Sequence, residues 1–302
     1  MTREESDPAT RERSRVALVT SDLFPDLYAD DHPLRDALRA RGVEVDAVRW
    51  DDPAAEWASY DLAVLRSPWD YPARRDAFVA WAARVPRLAN PADIVEWNTD
   101  KHYLRELAAA GLPVTPTDFV EPGESWTPPA AGEWVIKPTI SAGSQDTGRY
   151  LLPDQLELAR THVRRLTDAG RTAMIQPYLA AVDTAGETAV LCTPDAAGDL
   201  GYSHAIRKGP MLSGPDTGAV DAALYEQIEP RTPTSAELET AAAVLAAIPG
   251  GPKRLLYARI DMIPGPGGQP VLVELELTEP SLFFRHAEGS AERLAGAILA
   301  RL

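Results

Sequence analysis

The sequence predicts an α/β protein whose N-terminal part is a small lobe built around a parallel sheet. Three short apolar runs have the length and composition of buried strands: residues 15–20, 43–48 and 61–65. An amphipathic helix is predicted between the first two, at 33–41, with Gly42 directly after it. Because strand–helix–strand order is typical of parallel sheets, we expect this lobe to extend to about Asn90.

The rest of the chain alternates predicted strands and amphipathic helices. Strands are expected at 114–120, 133–138, 172–179, 186–193 and 200–208. Helices are expected at 153–168, 235–248 and 287–302, and a further helix is expected to open at Asn98 and to stop before Gly111. Gly198 lies between the last two strands and predicts a hairpin.

Composition and charge exclude several classes of protein. The 302 residues include 45 acidic and 30 basic side chains, a formal charge of −15, which argues against a nucleic-acid partner. Cys192 is the only cysteine, so a disulfide framework and a cysteine zinc site are excluded. No apolar run reaches the length of a membrane span, and the start of the chain lacks an apolar signal core. We expect a cytoplasmic protein with no membrane partner.

Two acidic strands near the C-terminus are the strongest chemical signal. Residues 259–263 and 271–280 flank a Pro/Gly turn, which predicts a hairpin. Because side chains alternate along a strand, Asp261, Glu274 and Glu276 are expected on one face, beside Arg259. Carboxylates combined with substrate phosphates are the ligands of Mg²⁺, so this face predicts a metal and phosphate site. A solvated strand face is the alternative, since antiparallel strands often carry alternating charge.

Two lysines and a small polar loop predict an anion site. Lys101 is expected in the first turn of a helix, where a cation is disfavoured unless an anion lies nearby. Lys137 lies near the end of a predicted strand, and residues 139–148 follow it with two glycines. Such a loop can wrap backbone N–H groups around phosphate, although it matches neither the Walker nor the dinucleotide spacing.

A polar and aromatic hexapeptide follows the third strand of the N-terminal lobe. In open α/β sheets, ligands bind beyond the carboxyl ends of strands, so residues 66–71 are expected to contact a substrate. We expect Arg66 to bind a carboxylate and Asp70 to bind a cationic amine, with Trp69 and Tyr71 beside them. The alternative is that the two aromatic rings only cover the core.

The order of these features resembles that of ATP-grasp ligases. Lys101, Lys137, the loop at 141–148, the segment 176–179 and the acidic hairpin follow one another as they do in that family. The tail at 273–281 is similar to the glutathione-synthetase branch, with Glu276 where many relatives have asparagine. Five further segments resemble the subgroup that contains O-ureido-D-serine cyclo-ligase: 97–101, 140–143, 176–178, 203–208 and 279–283.

The resemblance implies an ATP-grasp fold preceded by a parallel α/β lobe. The domains are then a disordered N-terminus at 1–14, a substrate lobe at 15–97 and an ATP-grasp domain at 98–302. Within the last, the ATP-binding lobe covers about 112–180 and the metal-binding, catalytic lobe about 181–302.

The resemblance also implies roles for individual residues. Lys101 and Lys137 would bind the α- and β-phosphates, and a loop containing Ser141, Ala142 and Gly143 would close over the γ-phosphate. Gln176, Tyr178 and Leu179 would contact adenine, and Asp183 or Glu187 would bind the ribose. Asp261, Glu274 and Glu276 would hold two Mg²⁺ ions, with Mn²⁺ as an alternative. Arg207 and Arg259, assisted by Lys208, would stabilise the transferring phosphoryl group.

The function so implied is an ATP-dependent carboxylate–amine ligase for a small amino-acid-like substrate. A carboxylate attacks the γ-phosphate to give an acyl phosphate, and a nitrogen nucleophile then displaces phosphate to form an amide. An ATP-grasp phosphotransferase and a non-catalytic nucleotide-binding module remain alternatives. The sequence leaves open whether acid and nucleophile share one molecule, and whether the protein is a monomer or a homo-oligomer.

Overall fold

The computed structural model describes residues 13–216 and 227–302, which form three β-sheets with helices packed around them. Most of the N-terminal segment predicted to be disordered, residues 1–12, lies outside the described part. Within the described ranges, none of the helices has the combined length and apolar character that crossing a membrane requires.

The N-terminal sheet is parallel, as predicted, with the strand order β2-β1-β3-β4. Its strands are β1 (Arg15–Thr20), β2 (Glu44–Arg49), β3 (Leu62–Ser67) and β4 (Leu88–Ala89). The helices of this part are α1 (His32–Arg39), α2 (Arg75–Ala82) and α3 (Ala92–Asn98). The ends of β1 and β3 meet, with the Thr20 and Ser67 hydroxyl oxygens 3.0 Å apart. Loops that leave this edge can therefore reach a common site.

A second, antiparallel sheet has the strand order β5-β8-β6-β7. Its strands are β5 (Asp118–Val120), β6 (Gly132–Pro138), β7 (Gly148–Leu152) and β8 (Ala173–Pro177). Helix α4 (Tyr103–Ala109) precedes the sheet, and α5 (Leu156–Asp168) packs on it. Ile136, Val163 and Ile175 belong to an apolar core of its own. Strand β7 is absent from the sequence prediction.

The third sheet is antiparallel, has five strands and contains both predicted hairpins. Its order is β11-β10-β9-β12-β13, with β9 (Glu187–Pro194), β10 (Leu200–Lys208), β11 (Ile228–Pro230), β12 (Ala258–Pro264) and β13 (Pro270–Glu276). The helices of this part are α6 (Val182–Ala185), α7 (Ser235–Ala246) and α8 (Ser290–Leu299). One apolar core joins Leu18 and Leu34 of the N-terminal lobe to Leu191 and Leu294. The first and third sheets are therefore packed together.

The helix predicted to open at Asn98 is wrong in its start. Helix α3 ends at Asn98 and α4 begins only at Tyr103, so Lys101 lies in the turn between two helices. The turn forms because the Lys101 N–H pairs with the Thr139 carbonyl at 3.0 Å instead of continuing a helix. Leu104 and Leu107 form the buried side of α4, whereas Ala108 is exposed.

Candidate functional site

A cavity of about 840 Å³ lies where the three sheets meet. Most of the predicted site residues line it: Trp69, Tyr71, Lys101, Lys137, Ser141, Ala142, Gly143, Gln176, Tyr178, Leu179, Glu187, Lys208, Arg259, Glu274 and Glu276. A cavity of this volume is within the size range of sites that bind small molecules and cofactors.

The acidic hairpin forms one wall of the cavity. Its register places Arg259 opposite Glu276, and Asp261 opposite Glu274. Arg259 donates two hydrogen bonds to Asp261 on its own strand, with Nε 2.9 Å from Oδ1 and Nη2 2.8 Å from Oδ2. It also donates to the Glu276 carboxylate. Burial raises the pKa of Glu276 above its ordinary value, although Arg259 opposes this shift. The predicted hairpin and the alternation of its side chains are confirmed.

A second cation reaches the buried Asp261 from the neighbouring hairpin. Lys208 Nζ lies 2.8 Å from Asp261 Oδ2 and also contacts Glu187. Burial opposes ionisation of Asp261, but Arg259 and Lys208 outweigh it and hold the pKa of this carboxyl below its usual range. The same acids raise the pKa of Lys208 against the effect of its own burial. These side chains therefore form a continuous network of alternating charge.

The two predicted phosphate lysines meet at Glu274. Lys101 Nζ is 3.2 Å from one Glu274 oxygen, and Lys137 Nζ is 4.0 Å from the other. Lys101 also donates a hydrogen bond to the Ser141 carbonyl at 3.0 Å, so it connects the loop at 141–148 to this wall. Burial lowers the pKa of Lys137. Burial also opposes ionisation of Glu274, but the charges of Lys101 and Lys137 outweigh this effect and lower the pKa of Glu274. Glu274 and the lysines form one charged patch on the cavity wall.

The end of the cavity predicted to hold adenine is partly apolar. Val135, Ile263 and Val273 line it beside residues 176–179. The Gln176 amide is engaged with the Thr117 hydroxyl at 2.9 Å. The sequence left two acids open for the ribose, and each has a partner. Asp183 accepts from the Tyr178 hydroxyl and does not line the cavity, whereas Glu187 lines it but pairs with Lys208.

The prediction that Arg66 binds a substrate carboxylate is wrong. The Arg66 side chain is 0% exposed, with Nε 2.8 Å from Asp31 Oδ1 and Nη2 2.6 Å from the Pro280 carbonyl oxygen. The physical reason is the length of β3, which continues to Ser67, two residues beyond the predicted end. Arg66 is therefore a strand residue that points into the protein, and not part of a loop beyond it.

Two further predicted contacts lie outside the cavity lining. Asp70 accepts a hydrogen bond from Trp50 Nε1 at 2.8 Å and pairs with Arg74. Arg207 donates to carbonyl groups at the end of α6, with Nε 2.7 Å from the Ala185 oxygen. The structure therefore places neither side chain where its predicted role requires. Asp261, buried behind Arg259, is also absent from the lining.

Seven further residues that line the cavity had no role predicted from the sequence: two belong to the N-terminal lobe, and five follow β13. They are Tyr28, Asp30, Glu279, Ser281, Phe283, Arg285 and His286. The rings of Tyr28 and Trp69 pack against each other, with centroids 4.9 Å apart. Tyr28 follows β1, so the rule that ligands lie beyond strand ends could have found it. Glu279 lies in the segment 279–283, for which the family resemblance implies no role.

The chemistry of the wall fits a hard divalent cation, although its acids are paired with cations. The described residues contain no ready cluster of three or more His, Cys, Asp or Glu side chains around one metal position. The Glu274 and Glu276 side chains are 26% and 25% exposed, so their oxygens are accessible from the cavity. Carboxylate oxygens of this kind are the ligands that Mg²⁺ prefers.

The fold around this cavity is that of solved ATP-grasp ligases: the ATP-grasp ligase PsnB matches with a TM-score of 0.60 at 18% identity over 96% of this chain and 100% of that one. The D-alanine–D-alanine ligase of Bacillus anthracis shares the fold, with a TM-score of 0.62 at 16% identity over 95% of this chain and 97% of that one.

Closer relatives give the family. Residues 16–90 match the family model of the N-terminal domain of D-cycloserine synthetase DcsG. The cycloserine biosynthesis protein DcsG of Streptomyces lavendulae is 37% identical, in an alignment that covers 95% of this chain and 98% of the relative. The crystal structure of D-cycloserine synthetase DcsG matches with a TM-score of 0.82 and 34% identity over 95% of this chain and 99% of that one. The chain belongs to the D-cycloserine synthetase family of ATP-grasp ligases.

Proposed function

We propose that this enzyme uses ATP to activate the carboxylate of a small amino-acid-like molecule and closes an amide bond within that same molecule. The supporting observation is a single cavity that contains a lysine and carboxylate patch at one part and a wall of aromatic and polar side chains at another. The relative DcsG is named a D-cycloserine synthetase. O-Ureido-D-serine, the substrate implied by the cyclo-ligase resemblance, is our candidate substrate.

The chain's own residues mainly position and neutralise charge. We assign Lys101 and Lys137 to the nucleotide phosphates, and Arg259 with Lys208 to the phosphoryl group in transfer. A substrate carboxylate oxygen attacks the γ-phosphorus and ADP leaves; the nitrogen then attacks the acyl carbon and phosphate leaves. Because acid and nucleophile share one molecule, holding that molecule makes ring closure effectively unimolecular. Trp69 and Tyr71 are proposed to contact it.

The proposed metal site uses the acidic hairpin. Glu274, Glu276 and Asp261 would hold two Mg²⁺ ions, or Mn²⁺ as an alternative. To do so, Asp261 would give up its ion pair with Arg259 or with Lys208. When bound, the metal ions supply positive charge that offsets repulsion between phosphates and an incoming carboxylate.

We propose the same domain limits as above and a cytoplasmic location. The substrate lobe is 15–97, the nucleotide lobe about 112–180 and the catalytic lobe about 181–302. The N-terminal part of this division is supported by the match of residues 16–90 to a domain model.

Product analysis tests the proposed function. The enzyme, ATP, Mg²⁺ and O-ureido-D-serine are incubated, and ADP, free phosphate and organic products are quantified. Equal yields of ADP and free phosphate are expected. A stable phosphorylated organic product would instead indicate a phosphotransferase, and ATP binding without ADP release would indicate a regulatory module.

A further inference from the structure

Side chains from distant parts of the chain hold the segment that follows β13. Six consecutive carbonyl groups, from Leu277 to Leu282, each accept a hydrogen bond from a different side chain. In chain order, the donors are Asn90 (2.7 Å), Tyr257 (3.0 Å), Trp69 (3.0 Å), Arg66 (2.6 Å), Arg259 (3.2 Å) and His204 (2.8 Å). We call residues 277–282 the carbonyl strap. Its backbone is fixed at every peptide, which restricts where its side chains can point.

Glu279 projects from the carbonyl strap into the cavity. Its carboxylate interacts with the Tyr71 hydroxyl through a hydrogen bond. Lys101, Glu274 and Arg259 also act on its carboxyl electrostatically. Glu279 therefore lies between the charged patch of Glu274 and the lysines and the aromatic side chains of Trp69 and Tyr71. An activated carboxylate and its nucleophile would meet at this position.

The partners of Glu279 differ from those of the neighbouring acids. Glu187, Asp261, Glu274 and Glu276 each form an ion pair with a lysine or arginine. Among the described residues, Glu279 forms no such ion pair, and its hydrogen-bond partner is a neutral phenol. Burial raises the pKa of Glu279 to about 7. A carboxylate with a pKa near the working pH is suited to proton transfer.

We infer, on the basis of the proposed ligase function, that Glu279 is the catalytic residue that accepts the proton lost by the nitrogen nucleophile. The nitrogen lone pair attacks the acyl carbon, and the new C–N bond forms. The C–O bond to phosphate breaks, and phosphate leaves with the bonding electrons. The proton on nitrogen passes to a Glu279 carboxylate oxygen, which leaves a neutral amide.

The test separates acyl phosphate formation from amide formation. Wild type and Glu279→Gln react with ATP, Mg²⁺ and O-ureido-D-serine, with and without hydroxylamine, which captures acyl phosphates as hydroxamates and needs little help from a base. In the variant, we expect kcat for the cyclic amide to fall at least about 100-fold, while hydroxamate formation stays within about threefold of wild type. Glu288→Gln, at an exposed site outside the cavity lining, is the matched control and should retain both activities.

Three results for a folded Glu279→Gln protein would overturn the inference. They are ring closure at nearly the wild-type rate, a raised KM with unchanged kcat, and an equal loss of hydroxamate and amide. The second would make Glu279 a binding group, and the third would place its role before acyl phosphate formation. A wild-type enzyme that forms neither product would contradict the proposed function itself, and with it the role of Glu279.

Discussion

Asp31 and Arg66 form an ion pair that is closed to solvent, with their side chains 3% and 0% exposed and 2.8 Å between Oδ1 and Nε. The pair joins β3 to the turn before α1. Removal of one partner leaves the other charge buried without compensation, which typically costs more than the intact pair contributes.

We therefore expect Arg66→Met to reduce the free energy of unfolding by about 3–5 kcal/mol, measured by urea denaturation. The double variant Asp31→Leu with Arg66→Met should recover part of the loss, because it removes both charges. The pair of Arg160 and Glu157, with side chains 42% and 74% exposed, is the control, since breaking it should cost about 1 kcal/mol or less. An Arg66→Met protein as stable as wild type would contradict this account of the buried pair.

Local sequence patterns predicted the fold and part of the site, but they did not predict side-chain positions that depend on contacts between distant parts of the chain. The positions of the acids in the hairpin followed from side-chain alternation, a local property that the register confirms. Arg66 was misplaced because its partner, Asp31, is 35 residues away and its strand is longer than its apolar run. Glu279 was passed over because its orientation depends on the carbonyl strap, whose donors come from separate segments of the chain.

The metal site gives a prediction for the acidic hairpin. Glu274→Ala should abolish substrate-dependent ADP release, because a proposed metal ligand is lost. Its thermal unfolding midpoint should fall moderately while the protein still folds, because the nearly buried Lys101 and Lys137 lose the carboxylate with which they pair. Glu276→Asn should be milder, because an amide oxygen can still bind Mg²⁺. A Glu274→Ala enzyme with nearly wild-type turnover would exclude Glu274 as an essential ligand.

The lysine patch gives a prediction for nucleotide binding. Lys137→Ala should weaken ATP binding in titration calorimetry, because a buried positive charge beside the proposed phosphate position is lost. ATP with Mg²⁺ should also protect residues 141–148 from proteolysis in wild type, since a closed loop is cut more slowly. Unchanged ATP affinity in the variant would show that Lys137 has a structural role only.

His162 gives a prediction for stability at acid pH. Burial lowers the pKa of His162 to about 4, and its Nδ1 lies 2.8 Å from the Tyr150 hydroxyl. An unfolded histidine has a pKa near 6.5, so the unfolded chain binds more protons between these values, and stability falls as the pH falls through this window.

Between pH 7.5 and 5, His162 should account for about 2 kcal/mol of lost stability. The measurement is urea denaturation at both pH values for wild type and His162→Gln, and the difference between the two proteins isolates the contribution of the histidine. An equal pH dependence in both proteins would exclude His162 as its source.

The most direct test of the account follows oxygen from a labelled carboxylate. The enzyme, ATP and Mg²⁺ react with O-ureido-D-serine that carries ¹⁸O in its carboxylate, and phosphate and organic products are analysed by mass spectrometry. Attack of that carboxylate on the γ-phosphate, followed by ring closure, predicts one ¹⁸O atom in the released phosphate and a cyclic product built from a single substrate molecule. Unlabelled phosphate would contradict the acyl phosphate, and a product that joins two substrate molecules would contradict intramolecular closure.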